Sequence, residues 1–166
     1  MKLTARRWLA LAIAAVVVAD WGSKFWVHNR LYLGSVRSLV EGWVWLNHRQ
    51  NPGVAMSWLT DLPSAIRTPL LAGLALVGIV VVSHILRSTR DEWTRAAAAL
   101  VLAGAVGNLG DRVLDGSVTD FIVIRFFPYV FNVADIAITL GSVVLAARLA
   151  MTGEEATPET ATPTPG

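Results

Sequence analysis

Two polar residues open an apolar run near the end of the chain. Asn132 and Asp135 are three positions apart at the head of FNVADIAITLGSVVLAARLA, residues 131–150, which is otherwise largely apolar. An ionisable side chain at membrane depth is costly, so it marks a candidate functional site. The same two residues also suit a helix start, where asparagine caps the first turn and an acid meets the positive helix end. Both interpretations stay open from this segment alone.

Three more aspartates lie upstream, in GAVGNLGDRVLDGSVTDFIVI. Asp115 precedes a glycine, a pair typical of turns, which predicts a solvated residue. Asp111 follows Asn108 by three positions on a predicted helix, which predicts a structural ion pair or hydrogen bond. Asp120 interrupts the apolar run VTDFIVI. It is either an edge-strand acid that faces water or a partner for Asp135.

Two aspartates that face each other can hydrolyse an amide without a metal, a cofactor or a covalent intermediate. Close carboxyls cannot both ionise comfortably, so they share a proton. One takes a proton from a water held between them, while the other donates to the carbonyl oxygen of the scissile bond. The chain has no cysteine and its three histidines are scattered, so thiol and zinc chemistry are not expected. We predict Asp120 and Asp135 as the pair, with no metal and no cofactor.

The composition predicts a membrane protein. The chain is 54 % hydrophobic and 16 % charged, with a mean hydropathy of +0.54. Soluble domains typically have about 45–50 % apolar residues and about 25 % charged residues. Four apolar stretches, at about 8–27, 69–86, 93–110 and 132–150, approach the length that crosses a bilayer as a helix. Thr68 and Pro69 predict the start of the second helix, as its cap and first residue. No basic stripe is interleaved with aromatics, so nucleic-acid binding is not expected.

Basic residues predict the orientation of these spans. They cluster before the first stretch and in the hairpin between the second and third, at Lys2, Arg6, Arg7, Arg87, Arg90 and Arg95. Because such residues favour the cytoplasmic side, both termini are predicted to be cytoplasmic and loops 28–67 and 111–131 to lie outside. Nearly all polar residues embedded in the spans then fall near the outer leaflet, which favours a site there.

The ends and the first loop complete the prediction. The N-terminal stretch could instead be a signal peptide cleaved near Ala19, but hydrophobicity resumes at residues 25–27, which favours an uncleaved helix. Residues 152–166 are polar and rich in proline and threonine, so we predict a disordered tail. The segment VRSLVEGWVWLNHRQ predicts strands of a small sheet at the interface, where tryptophan is favoured. A sheet that is only a structural cap is the alternative.

The motifs resemble those of one family. The runs GAVGNLGDR (104–112), VTDF (118–121) and FNVAD (131–135) are similar to its GAxGNxxDR, VxDF and FNxAD elements. Upstream, DWGSK (20–24) resembles its DxxxK, and NPGVAM (51–56) its NxGAAF loop, with Val54 and Met56 where alanine and phenylalanine are usual. The family is lipoprotein signal peptidase, also called signal peptidase II, an intramembrane aspartic protease.

The resemblance implies a role for each matching residue. It makes Asp120 and Asp135 the catalytic pair. It makes the others substrate-binding or supporting residues, namely Asn108, Arg112, Asn132, Asn51, Gly53, Asp20, Lys24 and Asp111. Asp20 and Lys24 are four positions apart on a predicted helix, so a purely structural ion pair is the alternative for them.

The implied protein is one peptidase domain, residues 1–151, with four transmembrane helices and a small extracytoplasmic β-sheet. The resemblance implies a location in the bacterial plasma membrane, among membrane lipid, and we expect the protein to be a monomer. It would remove signal peptides from prolipoproteins, cutting just before a diacylglyceryl-modified cysteine. Two rivals remain. A proton-coupled transporter predicts acids near mid-membrane and often an internal repeat, and a scaffold predicts acids paired with arginines.

Overall fold

The computed structural model describes residues 3–53 and 62–154. Its helices are α1 (Leu3–Arg30), α2 (Ser64–Ser88), α3 (Glu92–Asp115) and α4 (Val133–Glu154). Its strands are β1 (Val36–Val40), β2 (Val44–Asn51) and β3 (Val118–Ile124). All four helices are long and apolar enough to cross a membrane. The predicted fold class, a four-helix membrane protein with a small sheet, is confirmed. Val54, Ala55, Met56 and residues 155–166 of the predicted tail lie outside the described residues.

Helix α3 is central, since it packs against α1, α2 and α4. Its sequence AAAALVLAGAVGNLG explains this position, because its buried residues are mostly alanines and glycines. Small side chains let helices approach closely, which matters in lipid, where no hydrophobic effect drives helices together. Helices α2 and α4 make no comparable contact with each other over the described residues. A cleft therefore opens between them, with α3 as its floor.

Gly104 is required where α3 meets α4. A β carbon added there would lie 2.7 Å from Cγ1 of Ile138 and would overlap the carbonyl oxygen of Ala134. We expect Gly104→Ala to lower the free energy of unfolding by about 1–3 kcal/mol, the usual cost of overpacking. Gly73→Ala in α2 is the matched control, because nothing lies within 4 Å of that position. Thermal unfolding in detergent measures both variants. Equal midpoints for the two variants would contradict the close contact of α3 with α4.

The start of α2 differs from the prediction. The helix begins at Ser64, after Pro63 in an extended conformation, and Pro69 lies inside it. A proline this close to the helix start removes one main-chain hydrogen bond, to the carbonyl four residues before, and the helix tolerates that loss. Thr68 is not the cap. Its Oγ1 donates to the carbonyl of Gly116 at 3.3 Å, which joins the start of α2 to the end of α3.

The sheet is antiparallel, in the order β1-β2-β3, and it connects α3 to α4. Gly116 has a φ of 72° and caps α3 in the left-handed conformation that favours glycine. This turn sends the chain directly into β3. Val27, Leu46 and Phe121 form a small apolar core that fixes the sheet against α1. The C-terminal end of α1, the sheet and the start of α4 therefore meet at one end of the molecule.

Candidate active site

Asp120 in β3 and Asp135 in the first turn of α4 line the same cavity, of about 1300 Å³. Although β3 is an edge strand, Asp120 is only 3 % exposed. The chain returns beside β3 before α4 begins, where Phe131 pairs with Ile122. The interpretation of Asp120 as an acid that faces water is therefore wrong. Asp115 is exposed at the end of α3, as its turn signal predicts.

Asn132 joins the two acids. Its Nδ2 donates to Oδ1 of Asp120 at 2.7 Å, and its backbone N–H donates to Oδ2 of Asp135 at 3.1 Å. Its own Oδ1 accepts the backbone N–H of Asp135 at 2.9 Å. The last two bonds form a reciprocal helix cap of the capping-box type. The predicted cap is therefore present, and the residue that caps α4 also joins the two acids.

Each acid accepts a second amide hydrogen bond. Nδ2 of Asn108 donates to Oδ1 of Asp135 at 2.8 Å. Nδ2 of Asn51 donates to Oδ2 of Asp120 at 2.8 Å. All four carboxyl oxygens of the pair thus face N–H donors. Such donors favour the ionised form of a carboxyl, and burial opposes them.

For Asp120 the opposing effects raise the pKa from 3.8 to about 6. Burial is the largest cause, and the nearby charge of Asp135 adds to it. The hydrogen bonds from Asn51 and Asn132 and the charge of Lys24 limit the rise. Because the folded chain holds this proton more tightly than the unfolded chain, stability falls as the pH rises from about 4 through 6. A carboxyl with this pKa can serve as a proton donor near neutral pH.

Lys24 lies behind the pair, in the helix α1. Its Nζ is 2.7 Å from Oδ2 of Asp20 and 2.9 Å from Oδ2 of Asp111. It also donates to Oδ1 of Asn108 at 3.1 Å. An ammonium group can only donate, so it fixes the amide oxygen of Asn108 towards itself and the amide nitrogen towards Asp135. The ion pair between Asp20 and Lys24 is present, and Lys24 also orients a side chain that donates to Asp135.

Lys24, Asp20 and Asp111 form an ionic cluster. Its two acids each accept a backbone N–H from the residue that precedes Asp135 or Asp120. Oδ1 of Asp20, which is fully buried, accepts the backbone N–H of Ala134 at 2.8 Å. Oδ2 of Asp111 accepts the backbone N–H of Thr119 at 3.1 Å. One cluster in α1 and α3 therefore fixes the backbone of both β3 and α4. Asp111 is an ion-pair residue, as the helical spacing predicts, although its partner is Lys24.

Arg112 connects α3 to the first loop. Its Nη2 donates to the carbonyl of Gly53 and its Nη1 to the carbonyl of Asn108, both at 3.2 Å. The N–H of Gly53 donates to Oδ1 of Asn51 at 3.0 Å. Every site residue named from the sequence thus belongs to one continuous hydrogen-bonded network.

Two further residues contribute to this network and were not predicted from the sequence. Gln50 lines the cavity, where its Nε2 donates to Oγ1 of Thr119 and its Oε1 accepts from Ser117. Gly107 allows the approach of Asp20, because an added β carbon would lie 2.5 Å from Oδ2 of that acid. A glycine within an apolar helix signals such close packing. No comparable pattern distinguishes Gln50 from a surface residue of a strand.

Away from the acids, the cavity is an apolar groove that follows the helices. On α2 its lining residues recur at helical spacing, at Leu71, Leu74, Gly78 and Val82. On α4 they are Ile136, Thr139 and Leu140. Leu74 and Leu140 are more than half exposed, so the groove is open at its sides. Its shape and lining suit an apolar helix or acyl chains.

Comparison with known proteins connects this arrangement to one group of enzymes. A family model described as Signal peptidase (SPase) II matches residues 12–151. A lipoprotein signal peptidase of Pseudomonas syringae pv. tomato is 39 % identical over 145 residues, which cover 84 % of this chain and 83 % of the relative. The lipoprotein signal peptidase of Solibacter usitatus is 34 % identical, and the match covers 84 % of this chain and 88 % of the relative. That of Streptococcus pyogenes serotype M2 is 32 % identical and covers 84 % and 91 %.

Two solved structures share the fold. Each is described as a bacterial membrane enzyme determined by the in meso method, one at 2.3 Å resolution and one at 1.9 Å. The first has a TM-score of 0.80 and 22 % identity, and the match covers 93 % of this chain and 94 % of that one. The second has a TM-score of 0.77 and 23 % identity, with coverage of 85 % and 91 %. At this identity the likeness supports the architecture alone.

Proposed function

The chain belongs to the signal peptidase II family of aspartic proteases, and from this membership we propose that Asp120 and Asp135 are its catalytic pair. The family removes signal peptides from prolipoproteins. We propose that cleavage falls just before a cysteine that carries a diacylglyceryl group. The observation that supports the pair most strongly is that Asn132 bonds both carboxyls at the polar end of an apolar groove.

The first step of the proposed reaction adds water to the amide. A water held between the carboxyls gives a proton to ionised Asp135, and its oxygen attacks the carbonyl carbon. Protonated Asp120 donates to the carbonyl oxygen. The product is a neutral diol, with Asp135 protonated and Asp120 ionised. Asp120 suits the role of first acid, since its pKa is raised to about 6.

The second step breaks the carbon–nitrogen bond. Asp135 donates its proton to the amide nitrogen, which leaves as the amine of the cysteine. Asp120 takes a proton from one hydroxyl of the diol, so that a carboxylic acid forms at the end of the signal peptide. Both acids then have their starting protonation. Neither step forms a covalent bond between the protein and the substrate.

The other network residues position these groups. Asn132 and Asn108 present N–H donors to the carboxyls and so hold them in place. Arg112 and Asn51 border the cavity beside the acids, where a substrate main chain would lie, and Gly53 is hydrogen-bonded to both of them. We propose that these three hold the backbone of the substrate around the scissile bond. All of these residues come from one chain, which supports action as a monomer.

The apolar groove explains the choice of substrate. A signal peptide has an apolar helix, which can lie between α2 and α4. The diacylglyceryl group stays in the outer leaflet, and a site at that depth avoids its extraction, which costs about 0.8 kcal/mol per CH₂. The basic residues at the opposite helix ends support cytoplasmic termini and a site near the outer leaflet.

A pair of matched substrates tests the proposal. Purified protein is incubated with a diacylglyceryl-modified precursor and with the same precursor without lipid, and the new amino terminus is sequenced. We expect cleavage before the modified cysteine and a rate about 100-fold lower without lipid, because the acyl chains supply binding energy used at the reacting bond. Equal rates for the two precursors would exclude the proposed substrate class.

The pH dependence of cleavage tests the role of Asp120. The protonated acid is lost as the pH rises through its pKa, so kcat/KM should fall on the alkaline side. Asn51→Ala removes a hydrogen bond that lowers this pKa. We therefore expect the alkaline limb of the profile to move to higher pH in this variant, whatever its effect on the maximum rate. Asp115→Asn serves as the control, and a limb that stays in place for Asn51→Ala would exclude Asp120 as the group observed.

A further inference from the structure

Phe126 adopts an unusual backbone conformation at one end of the sheet. Its φ is 69°, the one positive value among the non-glycine residues that the structure describes. The left-handed region disfavours a bulky residue, because the β carbon crowds the following carbonyl. The N–H of Phe127 donates to the carbonyl of Ile124 at 3.1 Å, which closes a tight turn. Glycine usually holds this position in such a turn, so the ring of Phe126 must serve a purpose that offsets the strain.

That purpose is not burial within the described part of the chain, since Phe126 is 83 % exposed. The ring instead lies edge to face with Trp43, with centroids 6.3 Å apart. The guanidinium carbon of Arg125 is 4.9 Å from the centroid of Phe126 and 5.3 Å from that of Trp43. We call these three residues the aromatic tip. It presents two exposed rings and a cation together.

The surroundings of the aromatic tip are also apolar and exposed. Leu39 and Val40, at the end of β1, are each more than half exposed. This end of the sheet lies opposite the end where Asn51 pairs with Val118, so the aromatic tip is separate from the polar network of the acids. Only residues 31–35 connect α1 to β1. The spanning helix thus keeps the sheet near the membrane surface.

We propose that the aromatic tip binds the headgroups of anionic phospholipids in the leaflet nearest the sheet. Tryptophan prefers the headgroup region, and an exposed phenylalanine can enter the boundary between headgroups and acyl chains. A guanidinium pairs with phosphate through parallel hydrogen bonds. Outside the acid pair, the described residues of the sheet and its turns carry Arg37, Arg49 and Arg125 against Glu41. This positive balance complements an anionic surface. The inference does not depend on the proposed proteolysis.

A single label measures this contact. The chain contains no cysteine, so Leu39→Cys gives a unique site for a fluorophore beside an intact aromatic tip. The labelled protein is placed as one chain per nanodisc, in phosphatidylcholine with or without phosphatidylglycerol. Quenching by spin-labelled lipid and by aqueous iodide is then compared. We expect lipid quenching and protection from iodide in the discs that contain phosphatidylglycerol.

Two variants of the aromatic tip decide the result. In the labelled background and in discs that contain phosphatidylglycerol, Arg125→Gln should lower the ratio of lipid-contacting to water-exposed label about fivefold. Phe126→Gly should also lower the lipid quenching, while the unfolding midpoint in detergent stays level or rises, because glycine suits the positive φ. Free access of iodide to the label, the same quenching with and without phosphatidylglycerol, or a lower midpoint for Phe126→Gly would each overturn the proposal. Protection that persists in detergent and disappears on dilution would indicate a second copy and would also overturn it.

Discussion

Asparagine in place of Asp120 or Asp135 is expected to reduce cleavage of a lipidated precursor by about 10⁴-fold or more, with the fold retained. Asparagine is nearly the same size as aspartate, but it cannot take up or release a proton at these pH values. Each proposed step needs both a proton donor and a proton acceptor. Loss of either member should therefore cost about as much as loss of both, as in other catalytic groups that act as a unit.

The fold should survive these changes because two effects offset each other. In Asp120→Asn the side-chain oxygen still accepts from one of Asn51 and Asn132, and the other donor loses its acceptor. That loss costs about 1–3 kcal/mol. Above pH 6 the variant also loses a buried charge, whose desolvation raises the pKa in the original protein. The unfolding midpoint in detergent should therefore change little at pH 8.

Asp115→Asn is the matched control for cleavage. Asp115 is an exposed acid at the end of α3, outside the hydrogen-bonded network, so its variant should cut at the original rate. The same set of variants separates the rival functions. A transporter would lose flux, and a scaffold would lose stability. Full cleavage by either Asp120→Asn or Asp135→Asn would exclude the two-aspartate mechanism.

The sequence predicted the architecture well because membrane segments are defined by length and hydrophobicity. In lipid each backbone must satisfy its own hydrogen bonds, so an apolar stretch of this length forms a helix. Helix ends were less certain. Pro69 suggested a start, yet α2 begins at Ser64, since a proline near a helix start removes only one hydrogen bond.

The residues of the hydrogen-bonded network could also be named from the sequence, whereas the geometry of the network could not. Alternation along VTDFIVI could not decide whether Asp120 faces water, because its side chain is contacted by Asn51 and Asn132, which lie outside this strand. Likewise, the interpretation of Asn132 as a cap competed with its interpretation as a site residue. In the structure the one side chain makes both sets of contacts, since its oxygen caps α4 and its nitrogen donates to Asp120. Such dual use arises from tertiary contacts with α3 and β3, which no local pattern contains.

Lys24→Met is the second change for which we expect a large effect, here on stability. The variant keeps an unbranched side chain of similar length, but it removes the cation that lies between Asp20 and Asp111. Two buried carboxylates then lack a counter-charge. Breaking a buried ion pair from one side typically costs about 3–5 kcal/mol. In a chain of this size that loss corresponds to a fall of roughly 10 °C or more in the unfolding midpoint.

The double variant Lys24→Met, Asp20→Asn shows whether uncompensated charge causes the loss. The asparagine side chain keeps an oxygen that can accept the N–H of Ala134, so the double variant should recover part of the midpoint. Lys24 also fixes the amide of Asn108 towards Asp135. We therefore expect both variants to retain a reduced kcat when assayed well below their unfolding midpoints, because neither restores that orientation. A midpoint for Lys24→Met equal to that of the original protein would show that the cluster is not held by its charge. A normal kcat in the folded variants would show that Asn108 is positioned without Lys24.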